Sequence, residues 1–146
     1  MIINLLSGPR NVSTALMYSF AQRPDTSVID EPLYGYYLKR SDADHPAKEE
    51  IIGTMKTDAV NILMDILRKE SDSSVIFIKN MSHHFIDLPT TMLLPFTNIF
   101  LIRDPRDMLP SLAKQLIKPT VRDTGLKHQW TLFTQLEEFG QQPTVI

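Results

Sequence analysis

The sequence predicts an α/β layer fold: a mainly parallel central sheet of about five strands flanked by helices in three layers. Three observations carry this. Short apolar runs without polar alternation, as in Ile2–Leu6, suit strands buried on both faces of a parallel sheet. Between such runs lie segments whose apolar residues recur three and four apart, so strands and helices alternate. Polar clusters then fall at predicted strand ends, at Ser7–Thr14, Lys79–His84 and Arg103–Ser111. Carboxyl ends of strands are where such sheets bind ligands.

Composition narrows the function. The chain has 146 residues, 42% hydrophobic and 22% charged, as expected of one ordered domain over 1–146. It has no cysteine, which excludes disulfides, thiol nucleophiles and cysteine-bound zinc. The net charge is -2, so bulk charge supplies no grip on nucleic acid or anionic lipid. The apolar runs are too short to span a bilayer, and Met1–Leu6 is too short for a signal peptide, so a cytoplasmic protein is expected. Oligomeric state leaves no signal.

The elements follow in order. The run Ile2–Leu6 is a strand ended by Ser7-Gly8-Pro9, and a helix begins near Asn11–Ser13, both good N-caps. Val12, Leu16 and Phe20 give that helix its buried stripe, and Arg23-Pro24-Asp25 ends it. Ser27–Asp30 is a short strand. Leu33–Leu38 is aromatic-rich and ambiguous. Residues 41–50, with Asp42, Asp44, His45, Lys48 and Glu49, form a solvated polar excursion. A helix over Thr54–Glu70 presents Ile62, Leu63, Ile66 and Leu67 on one face. Ser74–Lys79 is the strongest strand, β-branched and aromatic, and a loop with His83-His84 follows. Asn98–Arg103 is the next strand. Asp104-Pro105 opens a helix in which Pro110 predicts a kink or early break. A last helix, Gly125–Phe139, carries Leu126, Trp130, Phe133 and Leu136, with Trp130 expected in the core and Gly140 as its stop. Thr144–Ile146 begins one more strand. His45 and His128 are expected to be solvated.

The first cluster, Gly8-Pro9-Arg10-Asn11-Val12-Ser13-Thr14, joins a strand to a helix N-terminus. Such a turn offers free backbone N–H groups and the positive dipole end, and its guanidinium and hydroxyls also suit an anion such as phosphate. A capped helix with a surface arginine is the plainer reading. GxxxxGK[ST] is absent, as is GxGxxG. With Arg103 at a strand end and Ser111 eight residues on, the sequence resembles the sulfotransferase family, P-loop-like enzymes that use 3′-phosphoadenosine 5′-phosphosulfate (PAPS). Pro9–Thr14 resembles that family's Pro-(Lys/Arg)-Ser-Gly-Thr-Thr loop, which wraps the 5′-phosphosulfate. Arg103 and Ser111 match its Arg and Ser that hold the 3′-phosphate.

The resemblance implies a P-loop-like fold, PAPS as cosubstrate, no metal, and transfer of a sulfuryl group to a hydroxyl or amine of a small-molecule or carbohydrate acceptor. Arg10 stands where many members carry a catalytic lysine, Asn11 where they have Ser, and Val12 where they have Gly. Lys79 with His83 and His84 partly matches a Lys-x-His segment that supplies a lysine near the sulfuryl group and a general base. His84 is the first choice of base and His83 the second; the alternative is a pair of loop histidines. A paired-His metal site is disfavoured because adjacent histidines point apart. Glu31 resembles the glutamate base of some carbohydrate sulfotransferases, or else pairs with Arg10 or a helix N-terminus. Tyr34, Tyr36 and Tyr37 line an acceptor pocket or pack in the core or on the surface. The family's C-terminal Gly-x-x-Gly-x-x-Lys-like loop is missing, which implies a fragment or a pocket open on one side. Two rivals stand beside this reading: a phosphotransferase-type P-loop nucleotide-binding domain, and a non-catalytic domain.

Overall fold

In β1 (Ile2–Ser7) and β3 (Val75–Met81), nearly every residue is buried, as the unalternating apolar runs predict. The computed structural model describes residues 1–43, 45–114, 116 and 120–146, and Asp44 of the polar excursion lies outside these. With β2 (Thr26–Asp30), β4 (Thr97–Leu101) and β5 (Thr144–Val145), these strands form one sheet in the order β2-β3-β1-β4-β5. Every pairing is parallel.

Strand alternation splits the core in two. Ile3, Leu5 and Phe77 share a cluster with Met17 of α1 (Ser13–Ala21), while Phe20 stacks on Phe77 at 4.2 Å. Leu6, Ile76, Ile78 and Phe100 cluster with α4 (Ala59–Leu67) and α7 (Leu126–Glu138). The sheet therefore lies between two apolar layers. Each of these fully buried side chains contributes about 1.5–3 kcal/mol. A buried polar ladder crosses the middle strands. Asn80 Nδ2 donates to Asn4 Oδ1 (2.8 Å), and Asn4 Nδ2 donates to Asn98 Oδ1 (2.9 Å). It pins β3, β1 and β4 in register, because a one-residue slip would strand every amide.

Several elements differ from the sequence expectation. Val12 precedes α1 in the left-handed region (φ 54), with no side-chain cap, and is 69% exposed. Its side chain leaves the helix face, so the buried contacts of α1 come from Ser13 and Met17, with Leu16 and Phe20 half-buried. The ambiguous aromatic stretch is a helix, α2 (Tyr34–Arg40), fixed by the buried Tyr36 whose hydroxyl donates to Ile86 O. The polar excursion holds α3 (Lys48–Thr54). The helix expected from Thr54 starts only at Ala59, where the Asp58 side chain accepts from Asn61 N. His83 and His84 ride on a 3₁₀ turn, Ser82–Phe85. In α5 (Pro105–Ala113) the helix ends within a turn of Pro110. The last helix runs unbroken as α7, as expected, and Gly125 (φ 70) separates it from a short additional helix, α6 (Val121–Thr124). Trp130 is 67% exposed rather than core. Gln129 donates to both Leu6 O and Leu101 O, which turns the Gln129/Leu132/Leu136 face to the sheet and Trp130 away. His45 and His128 are half-buried rather than solvated.

The topology also places the site. β1 leads toward β2, beyond β3, whereas β4 leads the opposite way to β5. These neighbours therefore flank the point where connections diverge, the crevice in which open α/β sheets bind ligands.

Candidate functional site at the strand carboxyl ends

The β1–α1 loop is held from both sides. Asn11 is buried, and its Nδ2 donates to Leu101 O (2.9 Å) at the end of β4. Gly8 packs so closely on α6 that a Cβ there would meet Thr124 O at 2.8 Å, so only glycine fits. Arg10 (φ 62) and Val12 (φ 54) both take left-handed backbone, which is uncommon for any non-glycine residue and an outlier for β-branched valine. Such alternation turns successive N–H groups to one side, as in backbone anion nests. The fold therefore restores at Val12 the conformation that a glycine would supply.

Arg103 and Ser111 meet this loop. Arg103 Nη1 donates to Arg10 O (2.9 Å), and Arg10 Nε donates to Ser111 Oγ (2.8 Å), joining residues 101 apart in sequence. The loop residues Gly8, Pro9, Arg10, Asn11, Val12, Ser13 and Thr14 share a cleft of about 410 Å³ with Glu31, Lys79 and Arg103. Arg10 points toward α5 rather than toward Glu31.

Lys79 ends up buried and neutralised. The parallel register sets Asp30 beside Lys79, and the ammonium bonds Asp30 Oδ1 at 2.8 Å and Glu31 Oε1 at 2.5 Å. Burial alone would lower its pKa. The hydrogen bonds and charges of the two carboxylates overcome that, and the net shift is upward. Glu31 thus pairs with Lys79, not with Arg10 or a helix N-terminus. It sits at φ 42 in the turn after β2, where its N–H donates to Lys79 O.

The histidines line a second cleft of about 790 Å³ that shares Pro9, Glu31 and Met81 with the first. His84 is 1% exposed and stacks against both Tyr34 (5.2 Å) and Tyr37 (4.9 Å). His83 meets its edge at 4.8 Å. Desolvation holds the His84 imidazole well below its usual pKa, helped by the nearby His83 and Lys79. The same burial, with His128 adding to it, lowers His83 to about 4. Nδ1 of each has no hydrogen-bond partner. Desolvation, with Glu31 and Tyr37 nearby, also raises the Tyr34 phenol, so it stays protonated. Tyr36 instead packs in the core.

Sequence reasoning did not pair Asp30 with Lys79, although the adjacent acids at a strand end were a visible signal. It also missed the Tyr34–His84–Tyr37 stack, for which only long-range packing carries information. Among the described residues, no group of three or more His, Cys, Asp or Glu is placed to hold a metal ion, and no helix is long and apolar enough to cross a membrane.

Among solved structures, shikimate kinase from Bacteroides thetaiotaomicron covers 100% of this chain and 84% of its own, with TM-score 0.53 and 16% identity, a likeness of fold. Two Arabidopsis thaliana proteins, branched-chain-amino-acid aminotransferase-like proteins 2 and 1, are 35% and 34% identical over 99% of this chain. The chain spans about a quarter of their length, 26% in each case. The sulfotransferase domain family matches residues 1–139, nearly the whole α/β sheet together with both halves of the crevice. With its P-loop-kinase-like sheet and that match, the chain belongs to the sulfotransferase domain family.

Proposed function

We propose that this domain transfers a sulfuryl group from PAPS to an acceptor hydroxyl or amine, with no metal. The observation that supports this most is the meeting of Arg10, Arg103 and Ser111. An anion-binding turn and an Arg/Ser pair, far apart in sequence, converge at one crevice. A nucleotide phosphorylated at both its 5′ and 3′ positions suits two such anion sites. The backbone nest and the α1 N-terminus would hold the 5′ end, with Gly8, Pro9, Asn11, Val12, Ser13 and Thr14 shaping the loop. Arg103 and Ser111 would hold the 3′-phosphate, and Arg10, lying between them, would reach either end. Arg10 and the α1 N-terminus would stabilise charge on the leaving phosphate oxygen, the kind of electrostatic assistance whose loss costs about 10²–10³ in rate; Lys79, the other residue expected in that role, has its charge taken up by Asp30 and Glu31. His84, or His83 as the second choice, would take the acceptor proton. Burial keeps both imidazoles in the deprotonated form that a base needs. Glu31 is the alternative base, although Lys79 occupies its carboxylate.

Calorimetry with 3′-phosphoadenosine 5′-phosphate, AMP and ATP tests the reading. The bisphosphate is expected to bind most tightly. ATP binding more tightly would favour a phosphotransferase, a kinship that the shikimate-kinase-like fold keeps in view. Tight bisphosphate binding with no turnover on any acceptor would mark a non-catalytic domain.

A further inference from the structure

We infer that Gln129 is a positioning residue for the two anion sites, holding the β1–α1 loop and Arg103 at the separation that one bisphosphate nucleotide spans. This rests on the sulfotransferase reading above and adds to it a residue that acts through the backbone of β1 and β4.

The β1–β4 register ends at Ser7↔Leu101. Past that point the two strands part, β1 into the loop and β4 toward Arg103, and backbone pairing no longer fixes the gap between them. Side chains take over that task. Gln129 is 3% exposed, and its Nε2 donates to Leu6 O and to Leu101 O, each at 3.0 Å. A primary amide has two N–H groups, so both are used, one on each strand. Asn11 Nδ2 donates to the same Leu101 O at 2.9 Å. The chain from Leu6 to Asn11 is thereby closed into a ring, through the Asn11 amide, the Leu101 carbonyl and the Gln129 amide back to Leu6. Arg103 Nη1 adds a further crosslink, to Arg10 O within that ring.

The packing against the loop is tight. A Cβ on Gly8 would lie 2.8 Å from Thr124 O and 3.5 Å from Gln129 Oε1, and one on Gly125 would lie 3.6 Å from Gly8 Cα. The start of α7 therefore backs the loop directly, while Leu132 and Leu136 of the same helix are anchored in the core. Gln129 passes the placement of α7 to both strand ends. Methionine has a similar length but no N–H, so it would remove the tie and leave the apolar anchors of α7 in place.

A ligand with a phosphate at each end gains from its second contact only when the two sites stand at the right spacing. A nucleotide with one phosphate has no such requirement and keeps the local groups of its own site. Loss of the tie should therefore fall on the bisphosphate, a signature that a general loss of stability does not produce.

The test is calorimetry on the full chain, wild type and Gln129→Met, with 3′-phosphoadenosine 5′-phosphate, AMP and adenosine 3′-monophosphate as probes. Gln129→Met should weaken the bisphosphate about 10- to 100-fold, part of the gain that joining two sites confers, and change either monophosphate little, with circular dichroism verifying the fold. Gln129→Glu keeps the side chain's length and, protonated by burial, one of the two donors, so its loss of bisphosphate affinity should be smaller. The glutamate variant also carries the comparison where the methionine variant does not fold. Unchanged bisphosphate affinity in the variants, or equal losses for all three nucleotides, overturns the positioning role and leaves the sulfotransferase reading standing. A wild-type chain that binds the bisphosphate no better than AMP overturns both.

Discussion

Two clefts meet at one sheet edge and are built on opposite electrostatic plans. On the β4 side, Arg10 and Arg103 are held together by hydrogen bonds to Ser111 and to backbone, with no carboxylate closing on them in the described residues. On the β2 side the buried cation Lys79 is matched by two carboxylates, and the histidines are kept neutral by burial. The first region keeps positive charge available to a ligand. The second removes it. A single crevice can therefore hold a polyanion at one end and an uncharged group at the other, because charge is assigned by local partners rather than by composition.

The largest effect that would break this contrast is on turnover. His84→Gln keeps the size and polarity of the buried side chain but removes the base. Sulfuryl transfer should fall by about 10²–10⁴ while bisphosphate affinity holds. If activity survives and Glu31→Gln abolishes it, the base lies on the other wall.

Arg103→Ala probes the cationic side. Loss of a charge-assisted hydrogen bond should weaken 3′-phosphoadenosine 5′-phosphate by about 10- to 100-fold in calorimetry and change AMP little. Equal losses for both nucleotides would separate Arg103 from the 3′-phosphate.

Acid sharpens the contrast from the neutral side. His83 and His84 have folded pKa values below their unfolded ones, so the unfolded chain binds more protons as pH drops. Their contribution to stability is complete above about pH 6.5 and is lost as pH falls toward 4, on the order of 2 kcal/mol for His83 by pH 5. The melting temperature should fall over that window, and less so in His83→Gln. The acid limb of kcat/KM should lie below pH 6.5.

The smallest effect concerns the loop itself. Val12→Gly relieves left-handed strain at an exposed position, offset in part by glycine's greater chain entropy. Denaturant unfolding should show a gain of about 1 kcal/mol or less, with bisphosphate affinity kept or improved. A loss of stability would mean that the valine side chain supports the loop.

The boundaries of β1, β3 and β4 were legible to within a few residues, because unbroken apolar runs tolerate no other placement in a layered sheet. The loop and the Arg103/Ser111 pair were legible as residue types in a spacing, and their convergence followed from strand ends sharing one edge. The polar excursion was read only as solvated, and its end proves to open α3. Ile51 and Ile52 were its apolar signal, and α2 supplied the partner that stabilises α3. Trp130 was misplaced for a related reason. Periodicity fixes which residues share a helix face, but a hydrogen bond from Gln129 to two strand carbonyls decided which face turned inward.

By itself the sequence determined the layered class, the strand-to-helix turn and the identities of the groups at the crevice, since these depend on local pattern and covalent spacing. Tertiary structure alone decided their states. Lys79 is spent on Asp30 and Glu31, both histidines are neutral and stacked on tyrosines, and Arg10 leans on Ser111. Charge and protonation depend on burial and on partners brought from distant strands, and neither exists until the sheet has assembled.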